Sequence, residues 1–126
     1  MRYMGIDYGT KRVGVALSDE SGVMAFPHAV YPNDSGLLAA LERLAESEGV
    51  GAVVVGHSLD TKQKENPLQE QITELIGDLT LATGLPVHLE AEQYTTMEAL
   101  RTQGRTSMTD ASAAAIILNS FIQKQS

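Results

Sequence analysis

One carboxylate breaks an otherwise apolar opening. Met4-Gly5-Ile6 leads into Asp7, and after Tyr8-Gly9-Thr10-Lys11-Arg12 the chain returns to an apolar run from Val13 to Ser18. Two short runs joined by a Gly-containing turn read as paired strands. Burying an ionised carboxylate is costly unless it is paired or bound to a cation, so an Asp here implies a site at the end of a sheet. Read alone, the same Asp could satisfy turn amides. What joins it decides between the two.

The rest of the pattern supplies the sheet. Val23 to Tyr31 is a third extended segment after Ser21-Gly22, completing an antiparallel meander. Ser35 is expected to cap a helix to about Ser47, with Leu37, Leu38, Leu41, Leu44 and Ala45 on its apolar stripe and Gly49 and Gly51 ending it. Ala52-Val53-Val54-Val55-Gly56 is too short for a helix and reads as a central strand buried on both faces. His57 to Pro67 is polar and aperiodic, a loop. Leu68 to Ala82 is helical, with Leu68, Ile72, Leu75, Ile76 and Leu79 inward, and Gly84 and Pro86 stop it. Val87 to Glu92 alternates as a strand, Thr95 or Thr96 caps a helix to Gln103, and Asp110 starts a last helix. Its apolar face is Ala113, Ala114, Ile117, Leu118, Phe121 and Ile122. This order predicts an α/β fold of the ribonuclease H-like type in one domain, residues 1–126: a five-stranded mixed sheet, three antiparallel strands then parallel ones, flanked by helices.

Composition narrows the chemistry. A chain of 126 residues with 43% hydrophobic content can bury one core without staples. The absence of cysteine excludes disulfides and thiolate zinc sites, leaving oxygen ligands for any metal. Neither a secretory segment nor an apolar run of about 18 residues occurs, so a soluble cytoplasmic protein with no membrane partner is expected. The net charge of −7 argues mildly against a nucleic-acid partner, since phosphate binding draws on clustered Lys and Arg. Many acids fall on the predicted helices, however, whereas Lys11, Arg12, Lys62, Lys64, Arg101 and Arg105 lie in or near turns and loop ends. A basic rim on an acidic body can meet a phosphate backbone, although charge runs are as often merely solvated.

In helix-covered sheets, ligands bind at the rim where strand ends meet. Asp7, Glu92 and Asp110 are the acids that fit such a rim. Glu90 shares a strand face with Glu92, which is preferred because it adjoins the Thr95-Thr96 helix start. Asp110 alone could be only a favourable acid at a helix N-terminus. Two like charges about 4 Å apart at an effective dielectric of about 20 repel by about 4 kcal/mol, so converging carboxylates either protonate or admit a cation. Mg²⁺ or Mn²⁺, as a pair of ions, suits an all-oxygen set and phosphodiester hydrolysis.

The residues also resemble a known family. Gly5-Ile6-Asp7-Tyr8-Gly9-Thr10-Lys11-Arg12-Val13-Gly14-Val15-Ala16-Leu17-Ser18-Asp19 is similar to the first motif of the YqgF/RuvX proteins. These are ribonuclease H-like proteins described as Holliday junction resolvases and also assigned to ribosomal RNA precursor processing. Val54-Val55-Gly56 resembles their central strand, Glu92-Gln93-Tyr94-Thr95-Thr96 their Asp-Glu-Arg-Leu-Thr-Thr box, and Asp110-Ala111-Ser112-Ala113-Ala114 their C-terminal Asp-x-x-Ala-Ala helix. Ala91 and Gln93 stand where the family has Asp and Arg, and His57-Ser58 where it has Leu-Pro. Gln cannot make the bidentate contact of an Arg.

The resemblance implies that Asp7, Glu92 and Asp110 bind metal and that Lys11 and Arg12 lie close to substrate phosphates. The expected function is a divalent-metal-dependent endonuclease that cuts structured nucleic acid, either four-way DNA junctions or the 5′ end of pre-16S rRNA. Symmetric cutting of a junction would call for a homodimer. Two other classes share the pattern: a non-catalytic nucleic-acid-binding or ribosome-assembly factor, and an actin-like nucleotide-binding module, whose first phosphate loop also resembles Gly5-Ile6-Asp7-Tyr8-Gly9-Thr10.

Overall fold

The computed structural model describes residues 1–9, 11–57, 68–91 and 107–125. Its strands are β1 (Arg2–Tyr8), β2 (Arg12–Ser18), β3 (Ala25–Pro32), β4 (Val50–His57) and β5 (Val87–Ala91). The helices among the described residues are α1 (Leu37–Ser47), α2 (Leu68–Thr83) and α3 (Ser107–Gln125). One five-stranded sheet has the order β3-β2-β1-β4-β5. β1 and β3 run antiparallel to β2, while β4 lies parallel to β1 and β5 parallel to β4. This is the mixed sheet expected, with β1 rather than the valine-rich β4 at its centre. The loop expected over 57–67 lies outside the described residues apart from His57, and so does the helix expected over 95–103.

Alternation along the strands divides two cores. Met4, Ile6, Val13, Val15, Val53 and Val55 point to one face, where Leu37, Leu41 and Leu44 of α1 and Ile72, Leu75 and Leu79 of α2 cover them. Ala16 and Val54 point to the other, beneath Ala113, Ala114, Ile117, Leu118, Phe121 and Ile122 of α3. The inward residues expected of all three helices are buried where the structure describes them, with Leu38 and Ile76 only partly covered. No helix among the described residues is long and apolar enough to cross a membrane.

Several boundaries differ from the sequence reading for identifiable reasons. Helix α1 is not capped by Ser35. Asp34 Oδ1 accepts the Gly36 N–H at 2.9 Å and the Asp34 carbonyl accepts the Leu37 N–H at 3.1 Å, so the chain winds a turn first and the helix starts later. Gly49, at φ +64°, follows that helix, whereas Gly51 lies inside β4. Strand β3 begins at Ala25 because Asp19 claims the preceding backbone: its Oδ1 accepts the Val23 and Met24 N–H groups at 2.8 and 3.1 Å. Helix α3 begins at Ser107, three residues before the expected start, and keeps Asp110 in its first turn as expected.

The Ser21 hydroxyl, donating to Asp19 Oδ2 at 2.5 Å, followed by the Met24 and Val23 amides, lowers the Asp19 pKa from 3.8 to about 2. A carboxyl whose folded value is depressed supports the fold above its unfolded value and loses that support as pH falls. The Asp19 resonance should therefore titrate near 2, and the β2–β3 hairpin should loosen between pH 3.8 and about 2 in an NMR titration.

The close approach of α3 to the sheet rests on Gly5. A Cβ there would lie 2.8 Å from Leu118 Cβ and 3.0 Å from the Ala114 carbonyl oxygen, so the helix would have to move. We expect Gly5→Ala to destabilise the fold by about 1–3 kcal/mol, read as a lower urea midpoint with an unchanged slope.

Candidate active site

Asp7 occupies the penultimate position of β1 and is 7% exposed. Gly5 meets α3, so alternation puts Asp7 on the α3 face as well. Its register partners are Gly14 on β2 and Gly56 on β4. Neither flanking strand therefore places a side chain beside the carboxylate. On the β4 side the space belongs to Ile117, whose Cδ1 lies where a Cβ on Gly56 would stand.

Helix α3 runs against the direction of β1. Its Phe121 ring packs edge-on against Tyr3 at 5.8 Å, while Ala114 and Leu118 lie over Gly5. The backbone one turn before Ala114, at Asp110 and the fully buried Ala111, thus lies toward the Asp7 end of the sheet. The structure brings the first strand and the start of the last helix to one rim. The Asp110 side chain and all of Glu92 lie outside the described residues, Glu92 being the residue that follows β5.

Glu90 also faces α3. It is paired with Gly56 in register, two strands from Asp7 and therefore roughly 10 Å away along the same row. Its side chain is 6% exposed and bound by the Lys124 ammonium, which is itself 64% exposed. Glu90 is thus committed to α3, a role that sequence reasoning missed. The spacing of a Lys on the final turn of an apolar helix carried no sign of its partner 34 residues earlier.

Lys11 is exposed in the β1–β2 turn, and Arg12, partly buried, begins β2 beside it. Lys62, Lys64, Arg101 and Arg105 lie outside the described residues, as does the His57 side chain. Among the described residues no group of three His, Asp or Glu side chains is placed to hold a metal. Of the three acids expected to do so, only the side chain of Asp7 is described.

The five-stranded mixed sheet flanked by helices is a ribonuclease H-like fold, shared with solved resolvases. Thermus thermophilus RuvC, solved with a Holliday junction substrate, superposes with a TM-score of 0.66 at 18% identity, covering 99% of this chain and 95% of that one. The fowlpox virus resolvase, solved with Holliday junction DNA, gives 0.65 at 12% identity, covering 99% of each. These likenesses establish the fold.

Sequence carries the identification further. Residues 1–124 match the family described as RuvX: Holliday junction resolvase. An Oleidesulfovibrio alaskensis protein is 37% identical, covering 97% of this chain and 92% of its own. A Nitratidesulfovibrio vulgaris protein is 39% identical, covering 97% and 93%. Both are provisionally named pre-16S rRNA nuclease. The chain belongs to the RuvX family.

Breaking the Glu90–Lys124 pair leaves a buried carboxylate without its cation. Lys124→Met should lower stability by about 1–3 kcal/mol, less than for a fully buried pair because Lys124 is largely solvated. Adding Glu90→Gln should recover part of that loss in urea unfolding.

Proposed function

We propose that this chain, acting as one domain, is a divalent-metal-dependent endonuclease that hydrolyses phosphodiester bonds in structured nucleic acid. The observation that carries this reading is the buried Asp7 carboxylate at the central strand end, facing the first turn of α3, in a chain matched to RuvX over nearly its whole length. The donor chemistry fits a hard cation, because the candidate set of Asp7, Glu92 and Asp110 is all oxygen and the chain has no thiol. Those three residues would hold Mg²⁺ or Mn²⁺, as one or two ions. When bound, the metal supplies charge neutralisation and Lewis acidity at the scissile phosphate.

The remaining work falls to the chain's own residues. Asp7 is held in the sheet, so its carboxylate is oriented before substrate arrives. Lys11, in the turn that follows it, and Arg12, at the start of β2, are the candidates for contact with phosphates along the backbone. Lys62, Lys64, Arg101 and Arg105 are further candidates for that contact. Gly14, the register partner of Asp7 on β2, adds no side chain beside the carboxylate on that flank.

Structured ribosomal RNA precursor is the substrate favoured here, since the relatives at 37–39% identity carry that name. A four-way DNA junction is the competing arm, suggested by the family description, and would require a dimer for paired cuts. Both substrates should be incubated with the protein in Mg²⁺ or Mn²⁺. Asp7→Asn should reduce cleavage by at least about 100-fold, weaken Mn²⁺ binding by calorimetry and leave the circular dichroism spectrum intact. Binding without cleavage of either substrate, indifferent to divalent ions, would instead identify a non-catalytic RNA or DNA factor.

A further inference from the structure

The turn that carries Lys11 and Arg12 is held from outside its own hairpin. Arg12 pairs with Pro32, the last residue of β3, and the next residue, Asn33, reaches back across the end of β2. Its Nδ2 donates to the Gly9 carbonyl at 2.8 Å and its backbone N–H donates to the Lys11 carbonyl at 2.9 Å. One residue therefore fixes carbonyls on both sides of the turn. The turn is tight at the same point, since a Cβ at Gly9 would lie 2.5 Å from the Arg12 carbonyl oxygen.

Asn33 is itself anchored. The Asp34 N–H donates to the Pro32 carbonyl at 3.1 Å, and Asp34 holds the Gly36 and Leu37 amides at the start of α1. A brace thus runs from α1, through Asn33, to the basic turn beside Asp7.

We propose that Asn33 is a positioning residue for nucleic-acid binding, acting by fixing the β1–β2 turn so that Lys11 and Arg12 meet the phosphate backbone without first being ordered. The inference rests on the nucleic-acid reading above. A loose turn would spend part of its Coulombic attraction on ordering, and affinity would fall while the charges remained. The side chain must donate to Gly9, so an Asp, nearly the same shape, fails: it offers an oxygen to a carbonyl oxygen and adds negative charge beside the turn.

The test measures binding of a fluorescently labelled RNA hairpin and a labelled four-way DNA junction by anisotropy, without Mg²⁺ or Mn²⁺ so that nothing is cut. Asn33→Ala should weaken binding by about three- to tenfold, the scale of one hydrogen bond, and Asn33→Asp by more. In a Lys11→Ala/Arg12→Ala background the loss from Asn33→Ala should shrink to under about twofold, while its effect on thermal midpoint stays the same in both backgrounds. Equal losses in the two backgrounds, or affinity unchanged by Asn33→Ala, would overturn the proposal. If the wild-type chain binds neither probe, the nucleic-acid reading falls first and this inference with it.

Discussion

The seating of α3 on the middle of the sheet is the contact on which the rest of the structure depends. Two absent side chains permit it: Gly5 lets Leu118 and Ala114 approach β1, and Gly56 lets Ile117 approach β4. Ile117, Leu118, Phe121 and Ile122 are buried there, each contributing on the order of 1.5–3 kcal/mol. That gain offsets the cost of keeping the Asp7 carboxylate out of water, of the order of a few kcal/mol. The same contact sets the distance between the first strand and the start of the last helix, and so determines what can gather at the rim.

Charge is distributed to suit that arrangement. Asp7 and Glu90 lie on one row of one sheet face with Gly56 between them. Lys124 takes Glu90 into an ion pair with α3, and the bulk of Ile117 stands at the Gly56 position. Two acids that the sheet aligns are thereby given different surroundings. One is committed to holding a helix in place. The other lies buried near the end of the central strand, just before the turn that leads to Lys11 and Arg12.

Much of the fold was readable from apolar spacing, because strand alternation and helix stripes are local and repeat. The inward faces of α1, α2 and α3 followed directly from it. The misread boundaries belong to residues with competing hydrogen bonds. Asp34 displaced Ser35 at the start of α1, and Asp19 drew Val23 and Met24 out of β3. Both side chains offer carboxylate oxygens to amides a few residues on, a competition that hydrophobic periodicity does not register. The candidate site was legible at Asp7, where an acid contradicts its apolar surroundings. Glu90 was harder to interpret, since its role depends on Lys124, which is remote in sequence. Asn33 carried no signal in the sequence, because its partners, the Gly9 and Lys11 carbonyls, lie more than twenty residues earlier.

The topology also has a temporal consequence. β1 is synthesised well before the helix that covers its Asp7 face, which begins only at Ser107. A nascent polypeptide can pair its early strands and bury Met4 and Ile6 under α1 and α2 while the opposite side of the sheet stays wet. A truncated translation product lacking α3 would therefore keep the core under α1 and α2 and lose the one on the opposite face of the sheet.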